Sequence, residues 1–338
     1  MDQKLLHIIS HTDLDGVVSA ALAWHINYGH SPIKISLTGY GMVDNLVLDG
    51  ISQDQNMIVL DLFCQKDKTV DVIDRWYEEK DTGPFVFDHH QSNFARFAGR
   101  PWLVLDSSCC AASVYYRWLL AHPSWIKNEG ATEKLKDIVN IANDRDMWIN
   151  SIPESRLWHA LVTLCGPWGV FARLVANPSG KLTDNEYETA VEFVTDQEER
   201  FKKAMEGLNR TSSGIVFVGD GVLDFGDVSD FGGRLLDSGE KVPLLVAVAA
   251  RKPTGEWAVS LRSREGEAGK TVAMLKDGKR VRGGGHADAA ALYFPPSYSE
   301  NRIKESLEAA LHTIREKDRP TGQTLGDIFM KAMDDKKS

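Results

Sequence analysis

Five short polar segments interrupt the apolar texture of this chain. His11-Thr-Asp13-Leu-Asp15-Gly16 follows the run Leu5–Ile9, Asp61 closes Met57-Ile-Val-Leu, and Asp88-His89-His90 follows Phe85-Val-Phe87. Asp144 lies in Ile141-Ala-Asn-Asp-Arg-Asp, and Gly283-Gly-Gly-His286 comes far downstream. Carboxylates are costly to keep beside apolar strands unless something compensates their charge. Five carboxylates and two or three imidazoles gathered at one sheet edge are best compensated by a pair of divalent cations. Oxygen and imidazole donors without thiolate suit manganese or magnesium more than structural zinc. The chemistry such a set supports is metal-dependent hydrolysis of phosphate esters.

The elements that must position these residues alternate in type. Leu5–Ile9, Lys34–Thr38, Met57–Leu60, Phe85–Phe87 and Trp102–Leu105 read as strands. Gly16–Trp24, Asp67–Glu79 and Ala111–Leu120 carry helical spacing, with Val70, Ile73, Trp76 and Tyr77 on one face of the second. This alternation predicts a mainly parallel sheet with helices on both faces, and such sheets bind ligands beyond the carboxyl ends of their strands. His11, Asp13, Asp61 and Asp88 each fall just past a predicted strand. A long charged helix over 183–209 then leads to strands at Ile215–Val218, Val242–Ala249 and Trp257–Leu261. An amphipathic helix is expected at Arg302–Arg315 and a short final helix at Leu325–Met333. The predicted domains are 1–185, a helical linker over 186–212, and a smaller α/β domain over 213–338.

With 338 residues, two domains fit better than one. The net charge of −9 argues against non-specific attraction of the whole surface to nucleic acid, so a polyanionic partner needs a local basic patch. Cys64, Cys109, Cys110 and Cys165 form no Cys-x-x-Cys, and reduced thiols are expected. The N-terminus does not resemble a signal peptide and no uncharged run looks long enough to span a membrane, so the expected location is cytoplasmic.

Taken in order, the His-x-Asp-x-Asp-Gly segment, Asp61, Asp88-His89-His90, Asp144, Ser260-Leu-Arg-Ser263 and Gly283-Gly-Gly-His286 resemble the DHH phosphoesterase superfamily. The last two look like its DHHA1 domain, which marks the branch of RecJ-like exonucleases, nanoRNases and linear-dinucleotide phosphodiesterases. The resemblance implies a parallel-sheet DHH domain, helices on both its faces, joined by a helical linker to a DHHA1 domain. It implies two divalent metal ions, manganese first, with magnesium or cobalt as alternatives. His11 and Asp13 would hold one metal, Asp15, His89 and Asp144 the other, and Asp61 both. Asp88 would orient His89, and His90 would face the phosphate as donor or acid. Asp146 competes with Asp144 for its role. In some branches the first His and Asp are separated by four positions and here by two, so His11 is either a looser ligand or a substrate contact. In the second domain Arg262, Ser263 and Arg282 would contact substrate, with the amides of Gly283, Gly284 and Gly285 forming an anion nest that His286 completes.

Each feature also has an ordinary reading. Asp13 and Asp15 could form an Asp-Gly turn capping a helix, Asp61 a strand-end cap, and the glycines a flexible turn. His7, His25, His30, His122 and His159 read as structural, while Trp148 and Trp168 are the tryptophans placed to stack on a base. The function expected is hydrolysis of short linear oligonucleotides or dinucleotides (nanoRNA, pGpG or pApA types) to mononucleotides. The alternatives are a RecJ-like single-strand exonuclease, a polyphosphate-type phosphohydrolase, or an inactive nucleotide-sensing protein. Short nucleic acid is the expected partner, no membrane is involved, and a homodimer stays open.

Overall fold

A computed structural model describes residues 4–318 apart from 81, 207, 209–213, 224, 238–242, 253 and 286. The chain forms two compact units that divide between Gln197 and Glu198.

In the first unit the elements run β1 (Leu6–Ser10), α1 (Leu14–Asn27), β2 (Ile33–Leu37), α2 (Tyr40–Ser52), β3 (Asn56–Leu60), α3 (Asp67–Lys80), β4 (Phe85–Asp88), α4 (Gln91–Phe97), β5 (Leu103–Leu105), α5 (Ala111–Ala121), α6 (Ala131–Asp146), α7 (Pro153–Ala176) and the start of α8 (Asp184–Glu206). The strands pair in the order β2-β1-β3-β4-β5, all parallel. Side-chain alternation sends the two halves of each strand to opposite cores. Ile8, Ile58, Leu60 and Phe87 pack with α1, α5, α6 and α7. Ile9, Met57, Val59 and Val86 pack with Val43 and Val47 of α2, Val70 and Ile73 of α3, and Phe97. Helix α1 is buried along almost its whole length, from Leu14 to Ile26. Its small residues Gly16, Ser19, Ala20, Ala21 and Ala23 let it sit against the sheet and other helices at once. The strand order reverses between β1 and β3, and the crevice beyond that point is where an open parallel sheet takes its ligand.

Helix α7 corrects the sequence reading of membrane-length segments: by length and composition it could cross a membrane, at a mean hydropathy of 1.3 over its best window. Leu157, Trp158, Leu161, Val170, Phe171 and Leu174 nevertheless belong to the core of the first unit. Gly166, with φ 71°, and Pro167 kink the helix. Residues 186–206 of the segment expected to link the domains belong to helix α8. Its Ala190 joins the first unit's core, and its Phe201 and Ala204 join a core of the second.

The second unit continues with β6 (Ile215–Val218), α9 (Val228–Asp237), β7 (Leu245–Arg251), β8 (Trp257–Arg262), α10 (Glu267–Leu275), β9 (Arg282–Gly285), β10 (Ala289–Phe294) and α11 (Glu300–Asp318). The sheet order is β6-β7-β8-β10-β9, parallel only between β6 and β7. Leu245, Ala247 and Ala249 face α10 and α11, while Val246, Val248 and Ala250 pack with Phe231 and Leu235 of α9. The glycine segment, expected as a loop, is the edge strand β9. The short final helix expected at 325–333 lies outside the described residues.

Candidate metal centre

Four strands of the first sheet deliver polar groups at their carboxyl ends that bear on the centre. His11 and Asp13 follow β1, Tyr40 follows β2, Asp61 follows β3, and Asp88, His89 and His90 end β4. Asp13 is the N-cap of α1, its Oδ1 accepting from Gly16 N at 2.9 Å and its Oδ2 lying 2.7 Å from His11 Nδ1. The capping role and the site role are therefore fulfilled by the same carboxylate. Gly16 has no room for a side chain, because a Cβ there would lie 2.5 Å from the His11 carbonyl oxygen. Asp61 holds a left-handed backbone, φ 60°, a conformation that costs a non-glycine residue about 1–2 kcal/mol and that aspartate adopts more readily than most.

Donor atoms fall into three overlapping groups, each within 4.8 Å: His11, Asp13 and Asp61; Asp61, His89 and His90; and Asp15, His89 and Asp146. His89 Nε2 lies 3.3 Å from Asp61 Oδ1 and 3.5 Å from Asp146 Oδ2, and His11 Nδ1 lies 3.7 Å from Asp61 Oδ2. Asp61 and His89 tie the groups together. Asp15 is 1 % exposed, and its two oxygens accept from Ala111 N at 2.7 Å and Ala112 N at 2.8 Å, at the start of α5.

Two sequence assignments change. Asp146, not Asp144, joins Asp15 and His89. Asp144 instead turns to the following loop, where its Oδ1 accepts from Ser151 N at 2.8 Å, Ser151 Oγ at 2.6 Å and Ile152 N at 3.2 Å. Helix α6 continues through both residues, and positions two apart on a helix face nearly opposite sides, so one was bound to turn away. Ile138, Ala142 and Asp146 follow the i, i+4 stacking of one face, which is the signal that distinguishes them. Asp88, expected to orient His89, orients His90: its Oδ1 lies 2.6 Å from His90 Nδ1 and also accepts from the backbone N–H of His89 and His90.

Tyr40 was not foreseen. Its hydroxyl lies 2.9 Å from His90 Nε2 and its ring 5.5 Å from that of His11. The only sequence signal was its place just past a strand, in Gly39-Tyr40-Gly41. Its phenol is raised by burial and by the surrounding aspartates, so it stays protonated. The carboxylate Asp88 accepts only, so Nδ1 of His90 carries a proton and a neutral His90 receives the Tyr40 O–H at Nε2.

Charge crowding sets the titration of the cluster. Burial opposes protonation of His11 and His89, yet Asp13 and Asp61 raise His11 to about 11, and Asp61 and Asp146 raise His89 to about 10. Burial pushes Asp146 up to about 7, and burial with the Asp61 and Asp146 charges lifts Asp15 well above the carboxylate range. Burial pulls Asp61 upward too, but the His11 and His89 partners outweigh it and hold Asp61 low. Asp61 Oδ2, Asp144 Oδ2 and Asp146 Oδ2 are buried without a hydrogen-bond donor among the described residues, and those of Asp61 and Asp146 lie beside His11 and His89. Orphaned carboxylate oxygens facing imidazoles, with no thiol in the set, fit divalent cations.

In the second unit Arg262 is largely buried, donating to Leu261 O at 3.1 Å and to Ser229 Oγ; burial lowers its pKa. Ser263 is 3 % exposed; its Oγ donates to Asp288 Oδ1 and accepts from Ala268 N, closing the turn before α10. That hydroxyl, expected as a substrate contact, serves the turn in this structure. Arg282 pairs with Glu256 and lies over Tyr293. Gly283 is required by packing, since a Cβ would lie 2.7 Å from Ala291 O, whereas nothing lies within 4 Å of one at Gly284. Gly285 adopts φ 134°. The nest expected across these residues is thus an edge strand paired to β10 along one side. His286 lies outside the described residues. Of the histidines read as structural, His7 meets Ser36 Oγ at 2.8 Å, His25 meets Leu174 O at 2.9 Å and His122 meets Trp118 O at 2.9 Å.

The family model for the DHHA1 domain matches residues 214–317. No curated protein matches the chain in sequence. A crystal structure of the exonuclease RecJ bound to manganese aligns with a TM-score of 0.59 at 14 % identity, covering 91 % of this chain and 90 % of that one. RecJ from Thermus thermophilus in complex with Mn2+ gives 0.57 at 14 % identity over 92 % of this chain, which spans only 52 % of that protein. CDC45 from Entamoeba histolytica gives 0.53 at 7 % identity, covering 91 % of this chain and 95 % of that one. At these identities the likeness establishes a shared fold.

Proposed function

We propose that this chain, which carries a DHHA1 domain on a RecJ-like fold, is a DHH/DHHA1-superfamily enzyme, a metal-dependent phosphodiesterase that cuts short linear nucleic acids to mononucleotides. The observation that carries the reading is the set of three overlapping donor groups joined through Asp61 and His89, with two buried carboxylate oxygens left without donors. His11, Asp13 and Asp61 would hold one divalent cation; Asp15, His89 and Asp146 would hold another, with Asp61 near both. When bound, such a pair supplies charge neutralisation at phosphoryl oxygens and acidifies the attacking water. His90 holds its Nδ1 proton against Asp88, which with burial opposing raises its pKa. In the protonated ring Nε2 becomes a donor to the Tyr40 oxygen in place of an acceptor, and that proton would pass to a leaving oxygen once substrate displaces the tyrosine. Manganese is the metal we favour for this donor set. Short substrates are favoured by the net charge of −9, which repels a long polyanion over most of its length.

The RecJ-like fold supports a second reading, exonuclease action on a long single strand. The test is product analysis on a dinucleotide, a longer RNA strand and polyphosphate, with and without Mn2+. Mononucleotides from the dinucleotide, only with metal, are expected. Digestion of the long strand without preference for dimers would support the second reading, and release of orthophosphate alone would overturn both.

A further inference from the structure

The loop leaving α6 is constrained beyond what a connection requires. Trp148 and Asn150 both hold left-handed backbone, φ 54° each, in a stretch that begins two residues after Asp146. Trp148 N–H bonds Arg145 O, Ile149 N–H bonds Asp144 O at 3.0 Å, and Asn150 Nδ2 donates to Trp148 O at 3.2 Å. Asp144 Oδ1 then gathers three donors from Ser151 and Ile152. The left-handed region is disfavoured for a bulky residue, and such strain persists only where the surroundings over-determine it. What this arrangement presents is an indole that is 38 % exposed. The Arg145 guanidinium lies over the ring at 4.7 Å. The part of the indole left open to solvent is the kind of surface that an unpaired base uses. Consecutive Cα atoms are about 3.8 Å apart, so the Trp148 Cα lies within about 8 Å of that of Asp146. Trp148 is therefore anchored beside a residue of the centre.

We propose that Trp148 is the stacking face for a substrate nucleobase, and that Asp144 is the positioning residue that fixes the loop carrying it. The proposal rests on the phosphodiesterase reading for its catalytic arm and is independent of it in its binding arm. Stacking on an aromatic is worth ~1–3 kcal/mol per base, or about 5- to 150-fold in affinity.

In the catalytic arm, KM is measured with Mn2+ for a dinucleotide and for the matching abasic sugar–phosphate dimer. Trp148→Ala should shrink the preference for the base-bearing substrate by about 5- to 150-fold, with Trp148→Phe retaining most of it. In the binding arm, NMR titration compares adenosine monophosphate with ribose 5-phosphate, and Trp148→Ala should remove the difference. Asp144→Ala should reproduce the Trp148→Ala loss of preference, and Asp144→Asn, which keeps the Oδ1 acceptor, should restore it. Equal preference in native protein and Trp148→Ala, in both arms, overturns the proposal even if hydrolysis is robust. Absence of hydrolysis with an intact, Trp148-dependent base preference in binding would overturn the phosphodiesterase reading and leave the stacking site standing. Should Asp144→Ala fail to fold, the Trp148 variants decide the matter alone.

Discussion

Asp61 sits in two of the three donor groups, approached by His11 on one oxygen and His89 on the other. Replacing it by asparagine keeps the shape and removes the charge. Asp61→Asn should lower turnover by about 10²–10³-fold, with a matching loss in Mn2+ affinity by calorimetry. The two aspartates of α6 give a sharper comparison. Asp146→Asn should weaken Mn2+ binding by about 10- to 100-fold, and Asp144→Asn by less than about threefold; equal losses would return Asp144 to the ligand set. His7, outside this centre, offers a test of pH dependence. Burial, with Lys34 adding repulsion, lowers its pKa to about 4, while the unfolded chain protonates histidine near 6.5. Between those values the unfolded state binds the extra proton, so stability falls as pH drops from about 6.5 through 4. Thermal melts across this range should show a shallower loss for His7→Gln than for native protein.

At the scale of elements, the glycines show which contacts are tight. Gly16→Ala would drive a Cβ into the His11 carbonyl. The expected destabilisation is about 1–3 kcal/mol in urea unfolding, with weakened Mn2+ binding as His11 shifts. Gly283→Ala should cost a similar amount against Ala291, whereas Gly284→Ala should stay within about 0.5 kcal/mol. The parallel strands and their helices were legible because apolar runs alternated with helical spacing, and the polar residues at the run ends then mapped onto one sheet edge. The strand β9 was not legible: Arg-Gly-Gly-Gly has neither apolar alternation nor β propensity, and its pairing with Ala289–Phe294 is a tertiary choice. Asp144 and Asp146 compete in the sequence because both follow the same apolar residues, and only the helix that continues to Asp146 separates them. Tyr40 and the Asp88–His90 pairing depend on contacts between residues from different strands or on rotamer choice, which spacing cannot reveal.

For the whole molecule, the crowded centre makes metal a stabiliser of the fold. A ligand at 100 times its Kd adds ~2.7 kcal/mol to the state that binds it. Mn2+ should therefore raise the melting temperature of chelator-treated protein, and the rise should vanish in Asp61→Asn; an equal rise in both would place the metal elsewhere. The cores of the two units are separate, so calorimetry should assign the gain to the transition of the first. Asp15 holds the first two amides of α5 in addition to any cation, and this bears on how an inert enzyme is made for capturing its substrate. Exchanging that aspartate for alanine would strand two buried N–H groups and confuse collapse of the scaffold with loss of chemistry. His90→Asn is the better trap: it leaves the cation donors of both proposed sites in place, so captured molecules would report what the intact protein consumes.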